Sequence, residues 1–222
     1  MDPWLVAVLI VAALLCLYGI GWGRVECWNP DQMALRGLRG LQPNGFTKPP
    51  FHTYLNHLFV LSPVHIAEAI ASLISGTKQQ FMEVRLLGSR LVVVTLFLGT
   101  IILNYTISFR FYGKFAARVV ALLLGTSAGL IAYAHFLSVD SPLLFWMLAA
   151  LFFAQRIIQS GEQRDYVLAG LLTGICAATK YNGLAVGISI PVAHLLSSNC
   201  TSLRSCVFAR RLILGLICSL KN

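Results

Sequence analysis

Charge is the scarcest commodity in this chain of 222 residues: only 11% are Asp, Glu, Lys or Arg, where a soluble domain carries about a quarter. Acids are scarcer still, 8 against 17 basic residues. There is no low-complexity stretch and no internal repeat. No C-x-x-C and no Cys/His pair at zinc-finger spacing occurs among the 6 cysteines, and no basic stretch precedes the first apolar run. These absences exclude a disordered chain, a repeat array and a thiol-ligated zinc module, and the first apolar run is read as a retained span, not a secretory leader. They also exclude a soluble enzyme, because too little charge remains to cover its surface. What is present is apolar: 57% hydrophobic residues and a mean hydropathy of +0.76. A helical crossing needs about 20 apolar residues, so the chain has room for about six or seven. The reading is an all-α polytopic membrane protein.

The net charge of +9 would suggest nucleic acid in a soluble protein. Here the basic residues sit between apolar runs, so they are read as topology signals and headgroup contacts, and no nucleic-acid partner is expected. Cys16, Cys176 and Cys218 lie inside apolar runs, where cysteine packs as a small hydrophobe. Cys27, Cys200 and Cys206 are scattered over different polar stretches, so no disulfide framework is expected.

Span 1 is read over 4–22, with Trp4 and Trp22 as interface anchors. A long extracytoplasmic loop with short interfacial helices follows over 23–85, then span 2 over 86–109 and a short basic loop with Arg110, Lys114 and Arg118. Two runs, 119–155 and 166–198, are too long for one crossing and read as helical hairpins. Their turns are Ser138-Val139-Asp140-Ser141-Pro142 and Lys180-Tyr181-Asn182-Gly183, where Pro and Asn-Gly break regular structure. An incomplete last helix is read over 207–220, because too few apolar residues separate Arg211 from Lys221 for a crossing.

Parity then groups the candidates. Each hairpin leaves and returns on one face, so its turn lies on the other, and Asp140 and Lys180 share a face. Span 2 must start on that face, which puts the loop 23–85 there as well. Asp31, Lys48, Asp140 and Lys180 therefore converge. The short loops of the opposite face hold Arg110, Lys114, Arg118, Arg156, Arg164, Arg204, Arg210 and Arg211, so that face reads as cytoplasmic.

Each candidate also has a plainer reading. In Asn29-Pro30-Asp31 the acid suits a helix start, with Asn as cap and Pro in the first turn. The stripe Ala34, Leu35, Leu38 and Leu41 suits a short surface helix. Lys48, held in extended backbone by Pro49-Pro50, is either a snorkelling lysine or a cation facing a lipid phosphate. His52, His57 and His65 do not match an i, i+4 ligand pair and read as interface or packing residues. Asp140 and Lys180 are charges near membrane depth, where ionisable groups are costly and tend to be paired or functional.

In this order the motifs resemble the C-type integral-membrane glycosyltransferases, in particular the protein O-mannosyltransferases and the lipid A aminoarabinose transferases. Asn29-Pro30-Asp31-Gln32 is similar to the family's acidic pair after span 1, with Gln32 replacing the second acid. Lys48-Pro49-Pro50 with Tyr54-Leu55 is similar to a Lys-Pro-Pro segment, and Arg85 or Arg90 to an arginine opening span 2. Asp140-Ser141-Pro142-Leu143 is similar to an Asp-x-Pro-Leu motif. Gly170-Leu171-Leu172-Thr173-Gly174 with Thr179-Lys180 is similar to a Gly-rich stretch ending in Thr-Lys. The resemblance covers 4–191, the N-terminal half of a usual family member.

The resemblance implies transfer of a sugar, with inversion, from a polyprenyl-phosphate donor to a protein or lipid acceptor on the extracytoplasmic or lumenal face. It implies Asp31 as general base, Lys48, Lys180 and Arg85 as the donor-phosphate contacts, and Asp140 as an orienting residue. No cofactor is implied, and with Gln32 in place of an acid no metal is expected. The expected location is multi-pass in a membrane, the bacterial inner membrane in preference to the endoplasmic reticulum, with membrane lipids as neighbours. Two alternatives stay open: an inactive or non-enzymatic relative, truncated or completed by a partner subunit that supplies further helices, and a small transporter using Asp140 and Lys180 as a coupled pair.

One prediction follows from the parity and charge rules alone. Asn199-Cys200-Thr201 fits the glycosylation pattern but falls on the face read as cytoplasmic. Expression in a glycosylating host should leave it unmodified, with no gel shift on endoglycosidase treatment; a glycan at Asn199 would invert the orientation.

Overall fold

A computed structural model describes residues 2–21, 49–77 and 81–197. The regular structure of the described residues is all helical and includes no strand. Hydrocarbon leaves apolar segments this choice, because backbone N–H and C=O groups must find partners within their own segment.

Helix α1 (Pro3–Leu17) begins with Asp2 as its cap, accepting from the Trp4 N–H at 3.2 Å, and Pro3 at its first position. Helices α2 (Phe51–Asn56) and α3 (Ser62–Ser75) are joined through a π-helical stretch, His57–Leu61, into one path. Helix α4 (Met82–Gly125) is 44 residues long and broken at Gly113, which has φ 81° and ψ −178°. Then come α5 (Ala128–His135), α6 (Asp140–Ser160), α7 (Gln163–Thr179), a 3-10 stretch Tyr181–Ile188 and α8 (Ser189–Leu196).

The break at Gly113 reverses the chain. Tyr105 before it and Arg118 after it both reach Asp2: the Tyr105 hydroxyl donates to Oδ2 at 2.8 Å, and Arg118 donates from Nε at 2.9 Å and from a terminal nitrogen at 3.0 Å. The Arg118 guanidinium, then the Tyr105 hydroxyl, hold the Asp2 carboxyl well below the usual carboxylate range. At the other end of α1, Arg90 donates to the Ile20 carbonyl and His135 donates from Nε2 to the Tyr18 carbonyl at 3.0 Å. The bundle thus has two distinct ends, one marked by Asp2 and the Gly113 turn, the other by Arg90, His135 and the start of α6.

Between these ends α1 packs in the groove between the two arms of α4. Ala12, Phe97, Ile101, Ala117, Ala121 and Ala134 share one buried cluster. Ala149, Ala150, Ala154 and Ala169 recur where α6 meets α7 and α8. The alanines have a physical reason. Lipid tails are as apolar as leucine, so helices gain little by hiding apolar surface and associate instead through close approach.

The structure modifies the sequence reading in two places. The stretch 110–118 is not an open loop but helix on both sides of a single non-helical residue, Gly113. Part of 23–85, read as a loop with short interfacial helices, is a helical path of 25 residues over Phe51–Ser75, long and apolar enough to cross a membrane. Its polar residues include His, Thr, Asn, Ser and one Glu, spaced so that apolar runs persist between them. The path is displaced toward the Asp140 end: Phe51 lies against Trp146, about a turn and a half into α6, and Glu68 meets Arg85 at the start of α4.

Two other helices among the described residues are of crossing length, Glu83–Gly125 and Asp140–Ser160, while Pro3–Leu17 and Tyr181–Leu196 are apolar and shorter. Helices α5 and α7 end at His135 and Thr179, ahead of Ser138–Pro142 and Lys180–Gly183. The expected last helix, 207–220, lies outside the described residues.

The Gly113 conformation is one that residues with a Cβ avoid. Gly113→Ala should therefore lower stability by about 1–3 kcal/mol, measured as unfolding of the purified protein in detergent. A neutral result would show that the arms reverse without the glycine.

Candidate functional site

At the end opposite Asp2, the N-terminus of α6 and the C-terminus of α7 lie side by side. Asp140 is the first residue of α6 and Lys180 the residue that caps α7. Each charge suits its position, since a helix N-terminus favours an anion and a C-terminus a cation. The two side chains meet: the Lys180 ammonium donates to Asp140 Oδ1 at 2.6 Å. The other carboxylate oxygen accepts from the Ser138 hydroxyl at 3.0 Å, and the Asp140 N–H donates back to Ser138 Oγ at 3.2 Å. Ser138 is buried, so Asp140 is held from beneath while both members of the pair stay reachable, at 33% and 37% exposure.

The turn that delivers Lys180 depends on Gly183. Lys180 is extended, its N–H donating to the Cys176 carbonyl at 2.9 Å, and the Gly183 N–H donates to the Lys180 carbonyl at 2.8 Å. A Cβ on Gly183 would sit 2.6 Å from the Cys176 carbonyl oxygen. The close return of the chain onto α7 therefore requires glycine.

Arg85 is the third residue expected to contact the donor phosphate. It is buried, and its guanidinium donates from Nε to Glu68 Oε1 at 3.1 Å and from Nη2 to the other carboxylate oxygen. His65 Nδ1 lies 3.0 Å from the same Nη2, and the Phe81 N–H donates to Glu68 Oε1 at 2.6 Å. This knot ties α3 to the start of α4, and it gives the Arg85 charge a carboxylate partner. A buried guanidinium already matched in this way has little reason to exchange that partner for a phosphate. Arg90, the other candidate for the same motif, is buried and turned to the end of α1.

Glu68 carried a signal, being the only acid in an apolar stretch, but nothing in the sequence pairs it with Arg85. Asp31 and Lys48 lie outside the described residues. Among the described residues no cluster of three or more His, Cys, Asp or Glu could hold a metal ion.

Residues 63–220 match the family described as dolichyl-phosphate-mannose-protein mannosyltransferase. The chain belongs to this family. No curated protein and no solved structure matches it. The mannosyltransferase match begins at Pro63 and takes in Arg85, Asp140 and Lys180, while Asp31 and Lys48 precede it. The chain is thus an integral, multi-pass membrane protein of glycosyltransferase type, as family and apolar helices together require.

The geometry makes a topological prediction. In a cysteine-free background, Asp140→Cys and Lys180→Cys should both react with a membrane-impermeant maleimide from the extracytoplasmic side, and Lys114→Cys only from the cytoplasmic side. Labelling of positions 140 and 180 from opposite sides would contradict the paired arrangement.

Proposed function

We propose that the chain takes part in transfer of a sugar, mannose by the family description, from a polyprenyl-phosphate carrier to an acceptor hydroxyl on the extracytoplasmic or lumenal face. The observation that carries this reading is the reachable Lys180–Asp140 pair, at one end of a bundle that matches the mannosyltransferase family.

The chemistry needs a cation there. The donor is a phosphodiester with one negative charge. When the acceptor oxygen attacks the anomeric carbon, the bond from that carbon to the phosphate oxygen breaks, and the departing phosphate monoester carries a second charge. A fixed ammonium is worth more to the transition state than to the bound donor, which is the condition for catalysis. Lys180 is the proposed contact to that phosphate, with Lys48 as its neighbour. Asp140 keeps the ammonium oriented until the phosphate arrives. Asp31 is the proposed base that takes the acceptor's proton, with attack from the side opposite the phosphate giving inversion. Arg85, expected from the resemblance to bind phosphate, is assigned instead to holding α3 against α4 through Glu68. The position of Asp140 and Lys180 at the helix ends weighs against a transporter, whose coupled charges lie near the midplane.

Asp31→Asn should abolish transfer of labelled sugar from the lipid carrier in a membrane assay. Lys180→Gln should lower it about 10²–10³-fold, the usual cost of one group stabilising developing charge. Undiminished turnover in Asp31→Asn would remove that residue from the mechanism.

A further inference from the structure

The first turns of α2 contain two polar side chains that the fold does not use up. His52 and Asn56 are both fully buried. They lie one helical turn apart on one face, and Asn56 Nδ2 is 3.0 Å from His52 Nε2 and 3.0 Å from the His52 carbonyl oxygen. An amide nitrogen that donates to Nε2 makes Nε2 the acceptor, so the ring proton resides on Nδ1. His52 Nδ1 and Asn56 Oδ1 are then a donor and an acceptor, and both are buried without a hydrogen-bond partner. Buried polar groups left unpaired are uncommon and costly. A helix that needed only to pack here would do better with leucine at both positions.

Next to His52 in the chain stands an aromatic side chain. Phe51, the preceding residue, sets its ring edge-on to Trp146 at 5.9 Å between centroids, and the Trp146 indole N–H is also buried without a partner. α2 packs on α7, the helix that ends at Lys180, and in sequence His52 follows directly on Lys48-Pro49-Pro50-Phe51. A hydroxyl group both donates and accepts, which suits a free donor and a free acceptor. Aromatic rings beside such a pair suit the C–H face of a pyranose.

We propose that His52 and Asn56 bind a hydroxyl of the sugar carried by the donor lipid, and so contribute to selecting that sugar. This inference rests on the donor reading given above. It assigns the two residues to recognition of the sugar and not to its transfer.

The test is direct binding to the full chain in detergent, with two probes: a short-chain polyprenyl phosphate mannose and the same polyprenyl phosphate without sugar. The His52→Leu/Asn56→Leu double variant should bind the mannosyl lipid about tenfold more weakly, as expected for two lost neutral hydrogen bonds. Its affinity for the bare phosphate should be unchanged, and its melting temperature equal or higher. His52→Phe, which keeps a ring in the same space, carries the same expectation should the double variant not fold. Unchanged affinity for the mannosyl lipid, equal loss for both probes, or a lowered melting temperature with unaltered preference would overturn the inference and leave the donor reading standing. If the unmodified chain bound neither probe, the donor reading would fall and this inference with it.

Discussion

Hydrocarbon offers a peptide group no partner but its own helix, and most of this architecture descends from that constraint. A chain that cannot turn inside the bilayer turns only at its edges, so successive turns alternate between two ends. The end with Gly113, Gly161 and Asp2 and the end with Arg90, Asp140 and Lys180 are consequences of this alternation. Residues 40 positions apart, Asp140 and Lys180, meet because one full hairpin, out along α6 and back along α7, separates them.

The few charges are distributed by the same physics. Among the described residues, Asp2 pairs with Arg118, Glu68 with Arg85, Asp140 with Lys180, Asp165 with Arg156 and Glu162 with Arg164. Desolvated charges persist when matched, and here matching is local to each end of the bundle. The pairs differ in what they can do next. Glu68 and Arg85 are buried, at 9% and 8% side-chain exposure, and their geometry is a clasp between helices. Asp140 and Lys180 remain a third exposed, so water or an anionic headgroup can reach the ammonium. That difference in access separates a structural ion pair from one placed to meet a phosphate.

The polar groups of α2 show a complementary logic. His52 and Asn56 spend two hydrogen bonds on each other and leave a donor and an acceptor unused in a dry setting. Among the described residues local backbone rules are followed at many helix ends and crossings, with Pro at first turns, Gly beyond helix ends and Ala at crossings. Where they are broken, function is the usual reason, since stability alone would have removed the conflict.

The sequence by itself determined the class and much of the topology. Run lengths with Ser138–Pro142 and Lys180–Gly183 marked helix ends, and parity grouped Asp140 with Lys180, which meet in the structure, because these depend only on local breakers and on the cost of leaving hydrocarbon. The helical path over Phe51–Ser75 was harder to read, since its histidines and Glu68 break the apolar count without breaking the helix. Tertiary structure alone decided which charges pair. Arg85 and Glu68 are 17 residues apart and Arg118 and Asp2 are 116 apart. No spacing rule encodes such distances, and a partner within reach changes what a buried arginine can bind. It also decided that Gly183, ordinary as part of an Asn-Gly turn, is required by the Cys176 carbonyl pressed against it. Such contacts arise from how helices cross, a property of the assembled bundle that no single segment contains.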